Sequence, residues 1–189
     1  AINIDNAVAA AAAAHLAGAS DDNIRHALRT FLGAKRRFEV WLRPEDTACG
    51  TVLIDDYAHS PHEVEASITS VRKLYPGREL TVVFQPHLYT RTRDFAPEFA
   101  QALSHADRVV LLEIYPAREK PIPGVTSQII CDRLTSPHRL ICPRQNLLNL
   151  IKNSNFEILM TLGAANLDVL LPDIKEILTA KTVGTHDPV

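Results

Sequence analysis

The stretch VLIDDYAHSPHEVEASI, residues 52–68, decides the fold. Val52, Leu53 and Ile54 form an unbroken apolar run, the pattern of a strand covered on both faces. Ser60 can cap a helix and Pro61 suits its first turn, so the spacing predicts a helix over 61–75. Between strand and helix stand Asp55, Asp56, Tyr57 and His59, with His62 just beyond. Titratable side chains are thus concentrated where a buried strand hands over to a helix.

The same alternation continues downstream. Apolar runs at 79–85, 107–115, 139–143 and 156–163 read as strands. Helical patterns lie at 94–106 (interrupted early by Pro97), 126–134, 144–153 and 166–180, and residues 116–124 form a proline-rich loop. Residues 36–42, RRFEVWL, alternate as a strand that opens this region. The fold class expected is α/β, a Rossmann-like, mostly parallel sheet with helices on both faces. The tail TVGTHDPV, 182–189, is expected to fray.

Upstream, residues 3–17 are rich in alanine, the best helix former, and Gly18 suits the stop. Ser20 can cap a second helix over 20–32, with acids in its first turn and Gly33 at its end. Two Ala-rich helices bury little by themselves, so residues 1–34 are expected to belong to something preceding a domain at 35–189.

Composition narrows the function. The 189 residues carry a net charge of −2, which gives no basic field for nucleic acid. No apolar run reaches the roughly 18 residues of a membrane span. Cys49, Cys131 and Cys142 fit no zinc spacing or disulfide framework and read as reduced thiols of a cytoplasmic protein. His59, His62 and Glu63 do not form the H-E-x-x-H pattern, so no metal site is expected in this chain. Neither a G-x-x-x-x-G-K-[ST] loop nor a G-x-G-x-x-G fingerprint occurs.

In an open α/β sheet, ligands bind beyond the carboxyl ends of the strands. Three successive strands deliver polar groups there: Asp55, Asp56, Tyr57 and His59; then His87, Tyr89, Arg91 and Arg93; then Glu113, Tyr115, Arg118 and Glu119. Guanidinium forks such as Arg91 and Arg93 match carboxylate or phosphate. With a helix starting at 94, those cations would also sit against its dipole, a conflict that an anionic ligand would relieve.

Four stretches in this order, NIDNAVAAAA, AKRRFEV, LIDDYAHSPHEV and FQPHLYTRTRDF, resemble the C-terminal part of the Mur ligases. QPHLYTRTR and EIYPAREKPIPGV are most similar to the branch that joins L-alanine to UDP-N-acetylmuramate. The resemblance implies an ATP-dependent ligase of peptidoglycan precursor synthesis. Residues 1–34 would be the last helices of its central ATPase domain, and 35–189 its C-terminal domain. ATP and Mg2+ would be used, with the metal ligands in the upstream domain. Asn3 and Asn6 would lie at the adenine, Arg37 (or Arg36) near the ATP phosphates, and Asp56 (or Asp55) on the ribose. Tyr57 and His59 would stand beside the nucleotide and the reacting carboxylate. His87 and Arg91 would meet the muramoyl or alanine carboxylate, and His59 and Arg91 would serve the chemistry. Ser60 and Leu88 depart from the family pattern, which has His and Arg there, and GAANLD departs from GAGD. The alternatives are a non-catalytic nucleotide- or amino-acid-binding module and the related ligase that recycles murein tripeptide.

Overall fold

The computed structural model describes residues 2–31 and 33–181, of Ile2 and Asn3 the backbone only. The tail 182–189 lies outside the described residues. The chain divides into two compact units, 1–34 and 35–189.

In the first unit, α1 (Ile2–Leu16) is followed by α2 (Asp21–Thr30). Gly18, at φ 89°, donates its N–H to the His15 carbonyl and turns the chain out of α1, a conformation glycine adopts without a Cβ clash. The Ser20 hydroxyl accepts the Asn23 N–H at 3.3 Å and caps α2. α2 stops at Thr30, with Phe31 as its C-cap, before reaching Gly33.

The second unit holds β1 (Glu39–Leu42), β2 (Val52–Asp56), α3 (Pro61–Leu74), β3 (Leu80–Phe84), α4 (Tyr89–Asp94), α5 (Ala96–Leu103) and β4 (Arg108–Leu111). It continues with α6 (Gln128–Cys131), β5 (His138–Ile141), α7 (Leu147–Asn153), β6 (Ile158–Leu162) and α8 (Leu171–Ala180). Among the described residues, six strands form one sheet in the order β1-β2-β6-β3-β4-β5. β1 runs antiparallel to β2, and every other neighbouring pair is parallel.

The apolar run of β2 is divided between two cores. Val52 and Ile54 pack with residues of α3, α5 and α6, while Leu53 packs with residues of α7 and α8. Alternate strand residues point to opposite faces, so a sheet covered on both sides needs apolar residues at every position. The helices after β2, β3 and β4 lie on one face; those after β5 and β6 lie on the other. β6 inserts between β2 and β3, and the loops around it leave toward opposite faces at the carboxyl edge.

Two expectations are corrected. The helix expected over 94–106 is a pair, α4 and α5, meeting at Phe95, and α4 begins five residues earlier, at Tyr89. Pro97 sits in the first turn of α5, where its missing N–H costs nothing. Arg91 and Arg93 consequently lie in the last turn of α4, where cations suit the dipole, and the expected conflict does not arise. The opening strand is shorter than 36–42, because Arg36 and Phe38 take left-handed backbone conformations at φ 57° and 53°.

Candidate functional site

The carboxyl end of β2 separates its two acids by pleat. Asp55 is fully buried on the α8 side. It accepts the Thr161 hydroxyl at 2.5 Å and Nε of Arg36 at 3.2 Å. Burial pushes its carboxyl above the ordinary range, against the pull of Thr161 and Arg36. Asp56 is half-buried on the α3 side and accepts the Ser67 hydroxyl; burial raises this carboxyl too. Arg37 is exposed, with no hydrogen bond or ion pair among the described residues, while the Arg36 guanidinium is engaged on all its nitrogens.

Ser60 turns the strand end into a helix start. Its hydroxyl accepts the Glu63 N–H, and Glu63 accepts the N–H groups of Ser60 and His59, each at 3.0 Å. These bonds hold Glu63 below the ordinary carboxylate range even though burial works against them. A reciprocal capping box therefore fixes the His59 backbone, and Ser60 supplies half of it. His59 Nδ1 lies 3.0 Å from the Tyr57 carbonyl oxygen, which can only accept. The neutral ring thus carries its proton on Nδ1 and presents Nε2 as the acceptor.

The loops after β3 and β4 are joined. The Leu88 N–H donates to the Tyr115 carbonyl at 3.0 Å, the Tyr115 N–H to that of Pro86 at 2.8 Å, and His87 and Tyr115 form an isolated parallel bridge. Glu119 accepts the Thr90 N–H at 3.0 Å and its hydroxyl, which places a carboxylate at the start of α4 and holds it below its usual range. The Leu88 backbone, at φ 74°, accepts the Thr92 N–H at 3.1 Å. Leu88 therefore has a backbone task whichever side chain stands there.

These loops bring the site residues together. Tyr57 and His59 ring centroids are 5.3 Å apart, His59 and His87 6.5 Å, and His87 and Tyr115 5.8 Å in a stack. Arg91 Nη1 donates to the His59 carbonyl at 3.4 Å, and the Arg36 guanidinium lies 5.0 Å from the Tyr57 ring centroid. Burial, then the charges of Arg91 and His59, holds the His87 imidazole below its ordinary value, and its buried Nδ1 has no partner among the described residues. Arg93 pairs instead with its neighbour Asp94 at 2.7 Å, in the open.

Among the described residues, the non-glycine ones with left-handed φ, Arg36, Phe38, Leu88 and Ala117, fall on this edge. Such conformations cost about 1–3 kcal/mol each and gather at ligand sites. Asn6 is exposed on α1 in the other unit, and the side chain of Asn3 lies outside the described residues. Among the described residues no group of three or more His, Cys, Asp or Glu stands where it could hold a metal ion. No helix among them is long and apolar enough to cross a membrane.

Several members of this edge lay beyond sequence reasoning. The Arg36 clamp, the Glu119–Thr90 contact and the seat of Asp56 on Ser67 join residues 11 to 129 positions apart. Gly163, at φ 136°, is a further one: a Cβ there would lie 2.7 Å from the Gln85 carbonyl oxygen. A lone glycine after a strand was the only signal for that close approach.

The family model described as "Mur ligase, glutamate ligase domain" matches residues 36–157. A UDP-N-acetylmuramate--L-alanine ligase of Parabacteroides distasonis is 49% identical over 94% of the chain, and one of Phocaeicola vulgatus 45% identical over 95%. The chain spans 37% and 39% of the lengths of those relatives. The crystal structure of the UDP-N-acetylmuramate-alanine ligase of Thermotoga maritima superposes with a TM-score of 0.72 at 27% identity, over 92% of this chain and 37% of that one. The chain therefore belongs to the Mur ligase family, whose glutamate ligase domain it carries over residues 36–157.

Proposed function

We propose that this chain is the C-terminal part of an ATP-dependent ligase that adds L-alanine to UDP-N-acetylmuramate through an acyl phosphate, a cytoplasmic step of peptidoglycan precursor synthesis. The observation that carries the reading is similarity along nearly the whole chain to relatives bearing that name. Residues 1–34 are then the last helices of the central ATPase domain, and the phosphate loop and Mg2+ ligands belong upstream.

Joining a carboxylate to an amine through a phosphorylated intermediate needs positioning and neutralisation of developing negative charge. Arg37 offsets the ATP phosphates and Asp56 accepts the ribose hydroxyls. The geometry supports Arg37 over Arg36, whose guanidinium is already engaged, and Asp56 over Asp55, which is fully buried. Asn6, with Asn3, meets the adenine. Tyr57 flanks the nucleotide, and His87 and Arg91 hold the carboxylate of the muramoyl group or of the incoming amino acid. His59, with Nε2 as its free acceptor, orients a reactant or takes a proton from the attacking amine.

The test uses the intact enzyme, this chain joined to its upstream sequence, with ATP and either UDP-N-acetylmuramate plus L-alanine or UDP-N-acetylmuramate plus free murein tripeptide. The reading expects ATP-dependent product with L-alanine, and none from residues 1–189 alone. Product with the tripeptide and none with L-alanine would assign the recycling ligase. Absence of both products would leave the binding module.

A further inference from the structure

Arg36 is committed on every nitrogen. Nε donates to Asp55 at 3.2 Å and Nη2 to the Gly163 carbonyl at 2.6 Å. Nη1 donates to the Ala165 carbonyl at 2.8 Å and lies 3.3 Å from an Asp168 oxygen. The side chain is 17% exposed. Its backbone is held as firmly: its N–H donates to the Glu39 carboxylate at 2.9 Å, and its carbonyl accepts the Tyr57 N–H at 2.7 Å. A planar fork with five donors suits this set of converging acceptors, and the compact ammonium of lysine does not.

The next residues explain what this anchoring achieves. Arg36 and Phe38 both have left-handed φ, and Arg37 lies between them. Phe38 packs against the core under α3, whereas the Arg36 side chain is tied to the loop leading into α8. The chain thus crosses the end of the sheet with one anchor on each face, and the residue between them is exposed and unpaired among the described residues. Two non-glycine residues in this conformation persist only where the surroundings over-determine them.

We propose that Arg36 is a positioning residue for the nucleotide: by gripping Asp55, Asp168 and the carbonyl groups after β6, it holds the 36–38 backbone in its left-handed form and so sets where Arg37 stands relative to Asp56. This rests on the reading that Arg37 and Asp56 meet ATP. Arg36 touches no reactant. Its loss lets residues 36–38 relax and moves the Arg37 charge, while the segment after β3 that bears His87 and Arg91, joined to the loop after β4 through Tyr115 and Glu119, keeps its own supports.

The experiment measures kcat, KM for ATP, KM for UDP-N-acetylmuramate and Tm for the intact enzyme and its Arg36→Lys, Arg36→Met, Arg37→Ala and Asp168→Ala variants, together with the Arg36→Met/Arg37→Ala double variant. Both Arg36 variants should raise KM for ATP about fivefold or more, on the scale of one hydrogen bond, and leave KM for UDP-N-acetylmuramate within about twofold. Asp168→Ala removes one arm of the clamp without unpairing buried Asp55, and should raise KM for ATP by about twofold. Because Arg36 acts through Arg37, the double variant should be little worse than Arg37→Ala alone. If Arg36→Met does not fold, Arg36→Lys and Asp168→Ala decide.

Additive losses in the double variant, or an unchanged KM for ATP in folded Arg36 and Asp168 variants while Arg37→Ala raises it, would overturn the positioning role alone. An unchanged KM for ATP in Arg37→Ala would overturn the nucleotide reading of Arg37, and the positioning role with it.

Discussion

At the scale of the residue, His87 and Arg91 carry the sharpest expectations. The folded state holds the His87 imidazole below its ordinary value of 6.5, chiefly through burial and then through Arg91 and His59, with Glu119 opposing. A histidine with a depressed folded value favours the fold when neutral. That contribution is complete above the unfolded value and is lost as pH falls through the folded one. Urea midpoints should therefore drop more steeply between about pH 7 and 5 for wild type than for His87→Gln; parallel curves would remove this account of the imidazole. Arg91 is half-buried, and its polar contact is a long one, 3.4 Å to the His59 carbonyl. On the proposed role of anion contact for its loop, replacement of Arg91 by alanine in the intact enzyme should lower kcat/KM by roughly 10- to 100-fold, the scale of one charge-assisted hydrogen bond. Stability should change little, and Arg91→Lys should recover part of the rate, without the forked contact. A value of kcat/KM within about twofold of wild type for every substrate would move the role to Arg118 or Arg93.

At the scale of the element, the junction of β6 with β3 is the tightest point of the candidate site. Gly163 approaches the Gln85 backbone so closely that a methyl group meets its carbonyl oxygen, at a φ that side chains avoid. Gly163→Ala should cost about 1–3 kcal/mol of stability, seen as a lower urea midpoint at unchanged slope. An unchanged midpoint would show that the loop relaxes freely. The contrast with α4 shows which elements the sequence makes legible. The strand at 52–56 and the helix after Ser60 could be read because apolar period, cap and proline agreed within one window. The start of α4 was not legible: YTRTRD has no apolar face, its N-cap is Leu88 without a capping side chain, and Glu119, which secures its first turn, is 29 residues from Thr90. The site divides similarly. Asp56, His59, His87 and Arg91 were legible as residues at or beyond the carboxyl ends of strands. That Asp55 is sealed by Thr161 and Arg36 depends on β6 lying beside β2, which no local pattern states.

At the scale of the whole sheet unit, its two edges differ in kind. The amino edge is closed by matched charges and backbone bonds: Arg72 with Asp107 at 2.9 Å, Arg108 with Glu79 at 3.3 Å, and Arg78 on the carbonyl groups of Gly50 and Glu157 at 2.6 and 2.8 Å. The carboxyl edge carries the left-handed residues, the exposed Arg37 and the His87 Nδ1, which has no partner among the described residues. An edge closed by ion pairs and backbone bonds suits stability, and one with left-handed backbone and an exposed cation suits ligands. Substrates are expected to meet the carboxyl edge. Hydrogen exchange on the intact enzyme, with and without UDP-N-acetylmuramate and a non-hydrolysable ATP analogue, tests it directly. Added protection is expected at residues 36–38, 55–59 and 87–91, with 78–80 and 107–108 unchanged. Protection at the amino edge instead, or none at those three segments while both ligands are bound, would contradict it.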